Sequence, residues 1–380
     1  MFARYEPCSF RAMQTAPGLV WLRGGEAFAP EPLGIRDVLL GGDRIVHLGV
    51  VDGAALARAG PEVDHVDARG CTLWPGLIDV HEHLCGGSGE PGFARATPEI
   101  QARELVRAGI TTVVGCLGTD TTTRTMAGLV GRTKALRDAG LAAWCWTGGY
   151  PVPPRTLTGS IRDDVMLIAE VVGAGEVAIA DERASGAATG TLAVLAREAH
   201  VGGMLAGKAG LTHVHVGPDP DGLAALRELV DGHGVPASWL YPTHVERTEA
   251  LFAEALAFAA RGAFVDVDVW QGDLARWLHI WRRDGGPPDR LTASSDAGLT
   301  RPAILIDQVR EAIRIAKAGL SVPDAHLLTG PYAPRATGHS GRAQPRGAPP
   351  RSPGTGQASP SQRKGVGLRK GRRQSPGSNL

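Results

Sequence analysis

The hydrophobic rhythm of the chain changes twice along its length. Residues 18–73 carry short β-rich runs, GLVWLRGGEAFAP, GIRDVLLGGDRIVHLGV and HVDARGCTL, split by Gly pairs and Asp. Such runs predict strands joined by turns. Only AALARAG at 54–60 interrupts them with a helical pattern. From Trp74 to about residue 330, short apolar runs alternate with amphipathic stretches. LIDVHEH precedes TPEIQARELVRAG, TTVVGCLG precedes TMAGLVGRTKALRDAG, LAAWCWTG precedes DDVMLIAEVVGAG, and VAIAD precedes TLAVLAREAHVGGM. LTHVHVG then leads to GLAALRELVDGHG, WLYPTHV to ALFAEALAFAARG, AFVDVDV to LARWLHIWRRDG, and RLTASSDAG to ILIDQVREAIRIAKAG. Eight strand–helix units over about 250 residues predict an α/β fold. The expected form is a (β/α)8 TIM-type barrel behind a small N-terminal β-sandwich domain. A doubly wound open sheet competes, but its phosphate-binding GxGxxG turn is absent after the first strand.

Composition refines this picture. The chain has 380 residues, 43% of them apolar, enough for one large domain and a small one. The formal net charge of +1 excludes a strong overall field for nucleic acid or membrane. It hides an asymmetry: residues 331–380 hold ten Arg or Lys and no Asp or Glu. They also hold nine Gly and eight Pro and almost no large apolar residue, too little to offset the entropy of ordering. Two readings follow, a disordered basic tail or a chain out of frame after about Gly330. The expected division is a disordered extension 1–17, a β domain 18–73, a barrel 74–330 and a tail 331–380, with the fold incomplete at the C-terminus. The tail lacks interleaved aromatics, so a nucleic-acid role is not expected. The five cysteines are odd in number and form no CxxC, so no disulfide framework is expected. The N-terminus lacks a signal-peptide core, and no run of 18 apolar residues occurs. A cytoplasmic protein without a membrane partner is expected, as a homo-oligomer.

The chemistry concentrates at strand ends. His81 and His83 form His-x-His at the end of a buried strand, and side chains two apart on a strand point the same way. Both imidazoles can meet one metal at the C-terminal mouth of a barrel. His215 ends the fifth strand and His244 the sixth. His213 shares the face of His215, which is favoured because it lies nearer the strand end. Asp296 ends the eighth strand, in TASSDAG. It can bind a metal and take a proton from water, or cap the next helix with Ser294 and Ser295. Two neighbouring metals need an anionic bridge. Glu176 in GEVAIAD is the best-placed candidate, with Asp181, Glu182 and Lys208 as rivals.

These residues resemble the amidohydrolase superfamily, and within it the β-aspartyl (isoaspartyl) dipeptidase family. PGLIDVHEHLCGGSGE, VVGCLGTD, TGGYPVPPRTLTGS, VGGMLAGKAGLTHVHVG, PTHVER and SSDAG carry the resemblance, over about residues 18–330. It implies two divalent metal ions, with zinc favoured by imidazole ligands: His81 and His83 on one, His215 and His244 on the other. Asp296 would be the last ligand and the acid/base. Glu90 would hold the free amino group of a small peptide substrate and Tyr150 would polarise the scissile carbonyl. Arg183 and Arg247 would hold substrate carboxylate, with Thr119 and Thr300 adding hydrogen bonds. The implied reaction is attack of a metal-bridging hydroxide on a β-aspartyl amide. Cyclic-amide hydrolysis, N-acyl amino acid deacylation and a catalytically impaired homologue are the rival readings. There are two departures. Many members bridge their metals with a carboxylated lysine, where this chain has Glu176. Members also finish the small domain with C-terminal strands that residues 331–380 do not offer, which favours the out-of-frame reading.

Overall fold

The computed structural model describes residues 18–298 and 306–308, apart from residues 30, 31, 43, 61, 91 and 270–272. The expected extension 1–17, the tail 331–380 and most of the eighth helix lie outside the described residues.

The first region is built from β1 (Leu19–Phe28), β2 (Pro32–Gly41), β3 (Arg44–Gly49), α1 (Gly53–Arg58), β4 (Val63–Asp67) and β5 (Thr72–Leu73). They form one mixed sheet in the order β3-β2-β1-β4, with β5 also on β1. β1 runs antiparallel to β2 and parallel to β4 and β5. Asp52 starts α1 by accepting from the backbone N–H groups of Ala54 and Ala55, a cap of the usual kind. The sandwich expected here has one sheet among the described residues. Its buried side chains include the consecutive pairs Val20 and Trp21, Ala27 and Phe28, and Val38 and Leu39, which point to opposite faces of the sheet. Phe28 meets Trp74 with ring centroids 5.8 Å apart.

Eight parallel strands follow: β6 (Leu77–Glu82), β7 (Ile110–Gly115), β8 (Ala142–Thr147), β9 (Val171–Ile179), β10 (Leu211–Val216), β11 (Leu240–Thr243), β12 (Val265–Asp268) and β13 (Leu291–Ser294). The helices between them are α2 (Ala102–Arg107), α3 (Met126–Asp138), α4 (Ile161–Leu167), α5 (Thr189–Ala206), α6 (Ala224–Asp231), α7 (Glu249–Ala260) and α8 (Leu274–Arg283). β6 to β11 make one sheet in strict chain order and β12 pairs β13. A doubly wound sheet would reverse its strand order partway; this one does not.

Buried carboxylates stitch the two seams. Asp266 on β12 accepts from Thr243 Oγ1 on β11 at 2.8 Å and from the Thr292 and Ser294 hydroxyls on β13 at 2.5 Å. The backbone N–H of Phe264 also donates to the Leu240 carbonyl at 3.2 Å. Across the other seam, Asp79 on β6 accepts from the Ser295 N–H at 3.1 Å, and His83 N–H donates to the Ala297 carbonyl at 2.7 Å. Burial pushes the Asp79 carboxyl up to about 7. Hydrogen bonds therefore pass from strand to strand around all eight.

Strands buried on both faces separate two apolar layers. Inside lie Ile78, Val80, Trp146, Leu211, Tyr241 and Phe264. A larger shell including Leu105, Leu129, Leu226 and Phe252 lies between strands and helices. The expected helix over DDVMLIAEVVGAG is split: α4 ends at Leu167 and β9 begins at Val171. All nine β9 residues are buried, so the strand lacks the alternation that would reveal it. β-branched Val171 and Val172 favour extended backbone. Among the described residues, no helix is long and apolar enough to cross a membrane. Cys85, Cys116 and Cys145 are free. Cys71 is disulfide-bonded, one bridge where none was expected.

Gly173 sits at a close approach of β9 to β10. A Cβ there would sit 2.3 Å from the Leu211 carbonyl oxygen and 2.9 Å from the Trp146 ring. Gly173→Ala is expected to destabilise the protein by about 1–3 kcal/mol. Urea denaturation of both proteins checks this; an unchanged midpoint would rule out the tight approach.

Candidate metal centre

The strand ends bring His81, His83, His215, His244, Glu176 and Asp296 together. All are buried, none more than 8% exposed. Glu176 lies within β9 rather than opening it. Its Oε1 is 2.9 Å from His215 Nδ1 and 3.5 Å from the Nε2 atoms of both His81 and His244. Asp296 Oδ1 is 3.1 Å from His83 Nε2 and 3.4 Å from His81 Nε2. Glu176 is thus shared by two groups with ligand-like spacing, one containing His81 and His83, the other His215 and His244. His81 Nε2 and Glu176 Oε2 are buried without a hydrogen-bond partner. Orphaned buried polar atoms are rare, and here they are a bare imidazole nitrogen and a carboxylate oxygen, donors that suit a divalent metal.

Backbone conformation aims two of these groups. His244 has φ +63° and Asp296 φ +50°, a left-handed region that non-glycine residues seldom occupy except at constrained sites. Gly118 gives His83 its room. A Cβ there would lie 2.6 Å from His83 Cε1, at a backbone φ of +72°.

Charge pairing outweighs burial at the centre. Burial alone would raise Glu176, but His81, His215 and His244 hold its carboxyl well below the usual range. Asp296 is held low against the same penalty by His81 and His83. Burial works against a charged His244, yet Asp268 and Glu176 push it up to about 9. Burial, then the Glu176 charge, raises the Tyr150 phenol well above its usual value, so it remains an O–H donor. The Tyr150 hydroxyl is 2.7 Å from His215 Nδ1.

The remaining candidates fall into three groups. Arg183 and Glu90 meet at 3.3 Å at the exposed rim. Arg247 Nε donates to the Val216 carbonyl at 2.9 Å, at the end of β10. Thr119 is half-buried in the loop after β7, and Thr300 lies outside the described residues. Among the rival bridges, Lys208 lies away from the centre, its Nζ donating to the Val165 and Ile168 carbonyls at 2.6 Å at the end of α4. Glu182 is exposed.

Sequence reasoning missed the supporting places of Asp181, which it weighed only as a rival bridge, and of Asp268 and Cys116. Asp181 takes Arg183 Nε and Nη2 at 2.7 Å each and lies 3.0 Å from His215 Nε2. Asp268 Oδ2 is 3.3 Å from His244 Nδ1. Its signal was an acidic residue ending the strand VDVD, which is buried at all four positions. Cys116 Sγ is 3.8 Å from His83 Nδ1, within ligand-like reach of His81, His83 and Glu176. As one cysteine just beyond β7, it gave no pattern to read.

Hydrogen bonds from Arg183, opposed by burial and aided by His215, hold Asp181 well below its ordinary 3.8. A depressed carboxyl contributes stability above the unfolded value and loses it as pH falls through the folded one. Asp181→Asn should therefore melt earlier than the parent at neutral pH in the metal-free state. The gap should narrow as pH falls below 3.8. Melting curves across pH measure this, and a gap constant into strong acid would contradict it.

Comparison with known proteins agrees with this geometry. The amidohydrolase family model matches residues 72–238. The β-aspartyl dipeptidase of the thermophilic, keratin-degrading Fervidobacterium islandicum AW-1 is 33% identical, with a TM-score of 0.79, over 86% of this chain and 90% of that one. A second structure of that enzyme, in complex with the β-Asp-Leu dipeptide, is 32% identical over the same shares, with a TM-score of 0.77. The Escherichia coli phosphotriesterase homology protein, at 17% identity and a TM-score of 0.53 over 70% of this chain and 99% of that one, shares the fold. The chain therefore belongs to the β-aspartyl dipeptidase family of the amidohydrolases.

Proposed function

We propose that this protein is a binuclear metal-dependent hydrolase that cleaves β-aspartyl dipeptides. On this reading residues 74–330 belong to a (β/α)8 barrel and residues 18–73 to a small β domain. The observation that carries the reading is Glu176, one carboxylate oxygen within 3.5 Å of His81, His215 and His244. His81, His83 and Asp296 would hold one ion, His215 and His244 the other, with Glu176 between them. Zinc suits such an imidazole and carboxylate set. Bound divalent ions would polarise the scissile carbonyl and make water a stronger acid.

The side chains divide the remaining work. Asp296, held ionised between His81 and His83, takes a proton from the attacking water and returns it to the departing amine. Tyr150 keeps its proton and donates it as a hydrogen bond to the carbonyl oxygen as negative charge develops there. Glu90 and Arg183, 3.3 Å apart, offer an anion and a cation to the ammonium and carboxylate of an amino-acid head group. Asp181 takes the Nε and Nη2 edge of the guanidinium and Glu90 faces Nη1, the donor that an incoming substrate carboxylate would share. Arg247 serves the same substrate charge, and Thr119 and Thr300 complete the hydrogen bonding. A β-aspartyl dipeptide carries a free ammonium and a carboxylate on its α-carbon, one methylene away from the scissile carbonyl, a pair of charges that suits this rim.

Zinc-loaded protein should hydrolyse β-Asp-Leu, lose the activity in excess chelator and regain it with added zinc. Chromatography of the released leucine is the measurement. Cleavage of a different amide with β-Asp-Leu left intact would overturn the substrate assignment. Glu176→Ala should bind fewer than two metal ions per chain by elemental analysis. Two tightly held ions in that variant would remove Glu176 from the bridge.

A further inference from the structure

His213 precedes His215 by two residues on β10 and points to the same face, one level deeper in the strand ring. It is fully buried. Its ring stacks on Trp146, with centroids 5.1 Å apart and planes at 19°. Its Nδ1 is 3.1 Å from the Tyr241 carbonyl oxygen, and its Nε2 is 2.8 Å from His81 Nδ1.

The direction of these hydrogen bonds follows from elementary chemistry. A carbonyl oxygen only accepts, so His213 Nδ1 carries the hydrogen. A second proton on Nε2 would bury a cation between the Trp146 and Tyr241 rings, at a large desolvation penalty. Nε2 is therefore the bare nitrogen and accepts from His81 Nδ1. Neutral His81, the form that can ligate a metal, then has its lone pair on Nε2, the atom 3.5 Å from Glu176 Oε1 and 3.4 Å from Asp296 Oδ1.

Trp146 braces the same arrangement from the side. Its indole N–H donates at 3.1 Å to the Val80 carbonyl, the residue before His81. One ring thus holds both His213 and the strand that carries His81. The support of His244 is of another kind, a carboxylate oxygen of Asp268 at 3.3 Å from its Nδ1. His81 is backed by a neutral chain ending on a backbone carbonyl.

We propose that His213 is a positioning residue that fixes the tautomer and ring angle of His81, so that Nε2 faces a metal with its lone pair. The proposal rests on the metal-centre reading above. Sequence reasoning weighed His213 only as a rival ligand to His215; the geometry gives it a place behind a ligand on another strand.

The test uses the full chain with His213→Phe, which keeps the ring and removes both nitrogens, and His213→Gln, whose amide oxygen can accept from His81 Nδ1. Zinc affinity is measured by competition with a chromophoric chelator, and melting is followed in excess chelator. His213→Phe should bind its weaker zinc about 10–100-fold less tightly than the parent, with metal-free melting close to the parent. His213→Gln should regain most of that affinity. A packing role alone would lower metal-free melting without this rescue. Parent-like zinc binding in His213→Phe, or a Gln variant as weak as the Phe variant, would overturn the proposal. If the Phe variant does not fold, His213→Met carries the same expectation against Gln. A parent protein that takes up no zinc would instead bring down the metal-centre reading, and this proposal with it.

Discussion

The structure turns on one constraint: a carboxylate removed from water must be met by something positive or by hydrogen-bond donors. Glu176 meets that constraint with three imidazoles from three strands. The same demand organises the levels around it. Asp266 and Asp79 answer it with hydroxyl and backbone donors, and in doing so tie together strands that regular sheet pairing leaves apart. Acidic groups thus both assemble the centre and hold the ring of strands on which it sits.

Their surroundings set different protonation states. Asp79 is surrounded mostly by neutral donors, so burial dominates and its carboxyl is pushed up. Asp296 is surrounded by imidazoles, so pairing dominates and its carboxyl is held down. A carboxylate that is to accept a proton has to be the second kind at rest, and a seam between strands tolerates the first. The two residues lie on the two sides of one seam, and their protonation follows from what lies within about one hydrogen-bond length.

Much of this was legible in the sequence, and the rest was hidden for definable reasons. The alternation from Trp74 onward gave the strand–helix order. His-x-His and the histidines at successive strand ends gave most of the centre, because strand periodicity alone converts spacing into a common face. β9 was misread at its start because a strand buried on both faces has no alternation to detect. The supports of the ligands were hidden more deeply. His213 meets His81 across 132 positions of sequence, and Asp268 meets His244 from the next strand. No local pattern encodes such pairings. Asp181 was noticed as an anion near the right strand end, but its partners, Arg183 and His215, depend on how the loop after β9 turns.

The left-handed backbone at His244 and Asp296 narrows what these two positions can become. Asp, Asn and His enter that region far more readily than β-branched or bulky residues. A replacement there must satisfy the backbone as well as the chemistry, so exchanging Asp296 for a longer acid is a double insult rather than a mild change. Glu176 is not in that conformation. Diversification of this centre is therefore freer of backbone constraint at Glu176 in the middle of β9, while His244 and Asp296 remain tied to a short palette of side chains.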